Sequence, residues 1–360
     1  MCFLFLSNMI NNMRRTIILF TNVLLIFSLC SCQNIDESSQ GQVVKQIDFH
    51  TKLQLDYLND EIENISYYAN GDKELSKPQG YEISFNNPDG LLYTITLESG
   101  DDTRVYNTRN SSFVLNNLLL NKEYHCSIQK GDSLIQEEYF LTSDLAPRNI
   151  DVDGITNFRD LGGHKTNSNS LTRQGMLYRS SKFNENGTKD PLITSKGKTT
   201  VINELKIKSE VDLRLTSNNE TGGITNSPIG PSVKYYSIPM TFDGDVFTQN
   251  ETEIKNLFDV ISIKENYPLV FHCSIGTDRT GLIAMILNSL LDVRVEDLYR
   301  DYLFSNFGYI GGSRNHKIIT DYINKFSLYG GTTLKENVNN YLLSIGVSQD
   351  KINSFISIMN

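Results

Sequence analysis

Eight prolines, five cysteines and no tryptophan occur in 360 residues, and positive charge is short as well, with 33 Lys and Arg against 42 Asp and Glu. Proline this scarce, beside 24 glycines and 39% hydrophobic residues, excludes collagen-like and low-complexity classes. The cysteines are too few and too scattered for a disulfide framework, and no CxxC pair or His/Cys cluster is present, so neither a metal site nor a cofactor is expected. Long hydrophobic runs are missing beyond residue 32, which excludes a polytopic membrane protein. The formal charge of −9 becomes −11 once residues 1–31, whose only charged groups are Arg14 and Arg15, are set aside. A field of that sign repels phosphate backbones, so no nucleic-acid partner is expected. What remains is a chain long enough to bury a sizeable core in two domains or one large one.

The first 31 residues read as an export signal. Met13-Arg14-Arg15 supplies a positive start, Thr16 to Ser28 is mostly apolar, and Leu29-Cys30-Ser31-Cys32 precedes a polar stretch. Leu-x-x-Cys resembles the lipobox of bacterial lipoproteins, which implies cleavage before Cys32, a lipid on that residue and anchorage in a membrane. Gln33 stands where Asp commonly retains such proteins in the inner membrane, so the resemblance implies the outer membrane, facing the periplasm or the surface. The other reading is an uncleaved anchor helix over about residues 16–32; both place the rest outside the cytoplasm. Residues 32–46 are polar and aperiodic and read as a tether.

Residues 47–146 read as a small all-β sandwich. Tyr93, Ile95 and Leu97 alternate with threonines, Tyr124, Cys126 and Ile128 alternate with polar residues, and turns such as Asn87-Pro-Asp-Gly90 punctuate them. The segment Leu118–Tyr124, then Phe140-Leu-Thr-Ser143, resembles the tyrosine corner and last strand of fibronectin type III domains, with Leu120 where Pro is usual. Cys126 is expected to be a small buried hydrophobe.

A boundary is expected at Ala146-Pro147-Arg148, and from residue 148 to 360 the pattern becomes alternating strands and helices. Strands are expected at Met176–Tyr178, Val211–Leu215, Val233–Ile238 and Leu269–His272. Helices are expected at Glu251–Ile263, Arg279–Leu291, Val295–Phe304, Lys317–Phe326, Thr333–Leu343 and Gln349–Met359. That order predicts an α/β domain with a parallel-rich sheet, flanking helices and C-terminal helices.

Leu269-Val-Phe-His-Cys-Ser-Ile-Gly-Thr-Asp-Arg-Thr-Gly281 is the chemically pointed stretch: strand, short loop, helix start. Such a layout presents backbone N–H groups and a helix dipole to an anion. A thiol in that field, Cys273, is expected to ionise readily, and the planar Arg279 matches two phosphoryl oxygens. Ser274, Ile275, Gly276 and Thr277 supply the loop amides, Gly276 permits the curl, and Thr280 can place a hydroxyl beside the sulfur. His272 is expected to brace the loop.

His-Cys-x-x-Gly-x-x-Arg-Thr-Gly resembles the signature of the cysteine-dependent protein tyrosine phosphatase superfamily. Asn157-Phe-Arg-Asp-Leu-Gly-Gly163, Tyr178-Arg-Ser-Ser181, Val211-Asp-Leu-Arg214 and Asp301-Tyr-Leu-Phe-Ser-Asn306 resemble its bacterial branch that ends the phosphate loop in Asp-Arg. The resemblance implies hydrolysis of phosphate monoesters on proteins or small molecules through a Cys273 phosphoenzyme, without a cofactor. It also implies that Arg159, Asp160, Asp212 and Arg214 support the loop. Thr277 stands where many members carry Lys, which weakens an implied preference for phosphoinositides. Without tryptophan the Trp-Pro-Asp acid loop of animal enzymes is absent.

Asp278 is the expected proton donor to the leaving group, since a bound dianion would keep its carboxyl protonated. It could instead cap the helix that follows, and Asp243 and Asp245 are competing acids. A phosphoinositide, inositol-phosphate or dual-specificity phosphatase is the alternative activity. A catalytically weak phosphate-binding module and a rhodanese-type sulfurtransferase are readings of different class. Neither the signature Cys nor the Arg is lost, and rhodanese loops are usually one residue shorter. Oligomeric state is not legible.

Overall fold

The computed structural model describes residues 45–360 apart from 101. The export signal, Cys32 and the tether up to residue 44 lie outside the described residues. Lys45–Asn360 is one compact unit.

Seven strands form in its first part: β1 (Lys45–Ile47), β2 (Tyr81–Ser84), β3 (Tyr93–Ser99), β4 (Asp102–Thr108), β5 (Ser112–Leu115), β6 (Glu123–Lys130) and β7 (Ser133–Thr142). Five make a sheet in the order β1-β7-β6-β3-β4, with β1 parallel to β7, and β2 pairs with β5 as an antiparallel ribbon. Alternation sends Tyr93, Ile95 and Leu97 of β3 and Tyr124, Cys126 and Ile128 of β6 into one core, where Ile83 and Leu115 of the ribbon meet them. The Leu119 N–H donates to Tyr124 Oη at 3.1 Å, a tyrosine tied to the backbone just upstream of its strand. Burial pushes the Cys126 thiol up to about 12, so it behaves as an apolar side chain.

Over residues 52–77 the structure departs from the all-β expectation. α1 (Lys52–Leu58) and a 3-10 turn at Ile62–Tyr67 stand there. Thr51 and Gln54 form a reciprocal capping box, and Gln54, Tyr57 and Leu58, at helical spacing, are its buried face. Tyr57, Leu58, Ile65 and Ala69 belong to the hydrophobic core of the α/β part, so this segment packs on the α/β layer instead of joining the strands.

The α/β part carries β8 (Arg159–Asp160), β9 (Leu177–Ser180), β10 (Ser209–Asp212), β11 (Lys234–Ser237) and β12 (Leu269–His272) in the order β11-β10-β12-β9-β8. All neighbours are parallel except the short β8. Its helices are α2 (Ser195–Thr199), α3 (Glu251–Ile261), α4 (Asp278–Leu290), α5 (Val295–Leu303), α6 (Lys317–Phe326), α7 (Leu334–Ser344) and α8 (Gln349–Met359). β12 is central and buried at every residue, as a strand covered on both faces must be, and it delivers its last residues to the start of α4. The expected boundary at Ala146–Arg148 is a packed joint. Arg148 is buried and donates to Asn117 O at 3.0 Å on one side and to Asp160 at 2.7 Å on the other. Among the described residues no helix is long and apolar enough to cross a membrane.

Candidate active site

The loop between β12 and α4 is shaped by its carbonyls. Asn157 Nδ2 donates to the oxygens of Ile275 (3.0 Å) and Gly276 (3.2 Å), and Arg179 Nη2 donates to Gly276 O at 2.8 Å. With those oxygens turned outward and engaged, the N–H groups of Ser274, Ile275, Gly276 and Thr277 have no protein acceptor among the described residues, which leaves them to an anion. Gly276 sits at φ +73°, and a Cβ there would lie 2.4 Å from Ser180 O, so only glycine allows this approach.

Cys273 is buried at the base of the loop. Burial alone opposes its thiolate, but the Arg279 cation and the hydroxyl and amide of Thr280 outweigh burial and the nearby Asp278, and hold the thiol below its ordinary value. Thr280 Oγ1 is buried and closes no hydrogen bond of ordinary geometry, so it is free to turn to the sulfur when that atom is charged.

Arg279 is not free. Its Nη1 and Nη2 meet Glu220 Oε2 and Oε1 at 2.6 and 3.2 Å, Nη1 also reaches Met240 O at 3.2 Å, and the guanidinium lies 5.1 Å from the Phe242 ring centroid. Ser274 Oγ accepts from Arg279 Nη2 at 3.4 Å and from Asn186 at 3.3 Å.

Asp278 does not cap the helix: Thr277 is the capping residue, and the Asp278 carboxylate is clamped by Arg314 Nε and Nη2 at 2.9 and 3.0 Å. Of the competing acids, Asp245 is held below the usual carboxylate range by its hydrogen bond to Lys325. Asp243 is exposed on the same loop and its carboxylate accepts no hydrogen bond from the described residues. A cleft of about 500 Å³ opens beside the phosphate loop, between the Thr241–Val246 loop and α6, lined by Phe242, Asp278, Arg279, Arg314, Ile318 and Tyr322.

The supporting residues divide. Arg159 Nε and Arg179 Nη1 both bind Asp301, at 2.8 and 2.5 Å, and Arg159 Nη1 holds Asn157 Oδ1, so a buried triad steers the two side chains that shape the loop. Asp160 does not touch the loop; its carboxylate serves Arg148 and the amides of Gly162 and Gly175. Asp212 and Arg214 pair at 2.7 Å, and Arg214 reaches Asn186 at 3.3 Å, which in turn holds Ser274. His272 Nδ1 lies 3.1 Å from Cys273 O. Asn157, Arg179 and Asp301 stand inside motifs visible in the sequence without an assigned role; Glu220, Glu210 and Arg314 follow no spacing that could have singled them out.

The sequence pattern of the tyrosine phosphatase family matches residues 150–345, over half of the chain. The chain belongs to that family. This tyrosine phosphatase family member is 26% identical over 177 residues to a presumptive tyrosine-protein phosphatase of Cupriavidus necator; the match covers 43% of this chain and spans 62% of that relative's length. Among solved structures it is similar to the core catalytic domain of the PP-IP phosphatase SIW14 from S. cerevisiae, with 17% identity, 51% of this chain and 94% of that one covered, and a TM-score of 0.28. P. aeruginosa TpbA is similar at 15% identity, 48% and 86% coverage and a TM-score of 0.31.

Proposed function

We propose that this chain hydrolyses aryl phosphate monoesters, phosphotyrosine above all, through a phosphoenzyme on Cys273. The observation that supports it is a thiol of lowered pKa among unengaged amides at the start of α4, beside a guanidinium suited to phosphate. Sulfur attacks phosphorus, the leaving oxygen takes a proton, and water then releases phosphate from Cys273. Asp278 is the assigned donor, and one of its oxygens must leave Arg314 to act. The apolar wall of Phe242, Leu282, Ile318 and Tyr322 next to Arg279 suits a ring. The cations that line that cleft, Arg279, Arg314 and Lys325, are already paired with Glu220, Asp278 and Asp245, so none beyond the phosphate-facing Arg279 is left for further phosphates, which disfavours a polyphosphorylated inositol. Phosphate release by the full chain from matched phosphotyrosine, phosphoserine, phosphothreonine and phosphoinositide substrates, with Cys273→Ser as control, tests the reading. Release from the inositol lipids alone overturns the substrate class.

The β-rich first part is a fibronectin-like sandwich in this reading, held to the enzyme by the joint at Arg148. The chain is a lipoprotein anchored through Cys32 in the outer membrane. Fatty-acid labelling that is lost in Cys32→Ser, with a larger precursor accumulating, supports the anchor; labelling and processing unchanged in that variant refute it.

A further inference from the structure

Asn70-Gly71-Asp72 has the composition of a turn and forms one: Asn70 Oδ1 accepts the Asp72 N–H at 3.2 Å, and Gly71 takes the left-handed conformation at φ +79°. The turn faces the chain between α5 and α6. Gly71 N–H donates to Asn306 O at 2.9 Å, and Gly71 O accepts the N–H groups of both Ile310 and Gly311 at 3.0 Å. Those two groups find no other acceptor among the described residues. Leu75 N–H donates to Phe307 O at 2.5 Å, and Glu74 Oε2 accepts the Tyr309 N–H at 3.3 Å. The loop held in this way ends in Arg314. Asn306 grips the Arg314 backbone, accepting its N–H at 2.6 Å and donating to its carbonyl at 3.0 Å. Gly312 O accepts from Arg314 Nη1 at 3.1 Å, while Nε and Nη2 of the same guanidinium clamp Asp278.

We propose that the turn at Gly71 is a positioning element of the active site, which fixes the 306–314 loop from the first part of the chain and so sets Arg314 against Asp278 at the cleft. Residues 70–75 precede the stretch 150–345 that matches the family, so this support comes from outside the shared pattern. The close approach admits no side chain at 71. A Cβ there would lie 2.7 Å from Ile310 Cγ1 and 2.7 Å from Gly312 O, the same carbonyl that orients the Arg314 guanidinium. An isoleucine side chain can yield by a rotation, but a carbonyl moves only with its loop. Gly71 touches neither substrate nor sulfur; it acts through Arg314, which lines the cleft.

The inference rests on the phosphatase reading, and its test is a double-mutant cycle on the full chain. Phosphate release from a tyrosyl and an activated aryl phosphate is measured for the unaltered protein, Gly71→Ala, Arg314→Gln and the double variant, with folding checked by thermal melting. Gly131→Ala is the control: Gly131 has φ +56° in the turn after β6 and open space around it, so it carries the backbone strain without meeting the loop. Gly71→Ala and Arg314→Gln are each expected to lower kcat/KM roughly tenfold on both substrates, the scale of one charge-assisted hydrogen bond, and Gly131→Ala to leave it unchanged. The double variant should fall no further than Arg314→Gln, because both changes remove the same contact. Should Gly71→Ala not fold, Glu74→Ala, which removes only the acceptor for Tyr309, is read in its place, with a smaller loss that vanishes in the Arg314→Gln background. Unaltered kcat/KM in folded Gly71→Ala or in Arg314→Gln, or losses that multiply in the double variant, overturn the proposal. An unaltered protein that releases phosphate from neither substrate overturns the phosphatase reading instead.

Discussion

Glu220 occupies both terminal nitrogens of Arg279, at 2.6 and 3.2 Å, so the guanidinium that would embrace a phosphate is oriented by a carboxylate from the loop after β10. Two-point contact to a planar fork fixes rotation as well as distance. Glu220 is itself anchored, accepting the Leu215 N–H at 2.7 Å. Glu220→Gln should therefore loosen Arg279 and lower kcat/KM roughly tenfold, the scale of one charge-assisted hydrogen bond. Steady-state kinetics on an aryl phosphate decide it, and an unchanged or higher value would show Glu220 to be a competitor of substrate.

Removal of the nucleophile should be total. Cys273→Ser is expected to end turnover while vanadate still binds, because the amides and Arg279 remain. Arg279→Lys should be nearly as severe, since an ammonium can neither match two phosphoryl oxygens nor satisfy Glu220. Turnover persisting in either variant contradicts its assigned role.

The loop's support makes a stability prediction with a sign. Asp301 is fully buried; burial opposes its charge, but Arg159 and Arg179 dominate and hold its carboxyl far below the usual range. A carboxyl with a depressed folded pKa stabilises the fold above its ordinary pKa, and that contribution drains away as pH falls towards the folded value. Asp301→Asn leaves two arginines facing each other, so urea unfolding at pH 7 should show a loss of about 3–5 kcal/mol. The gap between variant and unaltered protein should shrink below about pH 4. A pH-independent gap would mean the loss is packing.

How much of this was legible follows from how far each signal reaches. Leu269–His272 and Lys317–Phe326 match their expected bounds because apolar runs and helical periodicity are local. The loop residues 272–280 fall together because they are contiguous. The α1 segment was missed although Thr51-x-x-Gln54 is a capping box, because its buried face finds a partner only in the α/β core, far along the chain. Glu220, Glu210 and Arg314 approach the loop from 59, 62 and 36 residues away, and nothing in their local sequence marks that meeting.

The acid is where geometry bears hardest on the sequence reading. Asp278 lines the cleft beside Arg279, but both its oxygens accept from Arg314, and Tyr302 Oη approaches one at 3.4 Å. Proton donation therefore requires the bound dianion to draw Arg314 away, a switch that Asp243, exposed and unclamped, does not need. If Asp278 is the donor, Asp278→Asn should slow hydrolysis most for alkyl and tyrosyl phosphates, whose leaving oxygens need the proton, and least for activated aryl phosphates. Loss of the clamp alone would depress all substrates equally, because a displaced Arg314 disturbs the cleft whatever leaves. A leaving-group series on Asp278→Asn, Asp243→Asn and Asp245→Asn separates these outcomes. Steepening in Asp278→Asn alone establishes the donor; steepening only in Asp243→Asn moves the acid to the loop that carries Phe242. Asp245, held as a carboxylate by Lys325, should show neither.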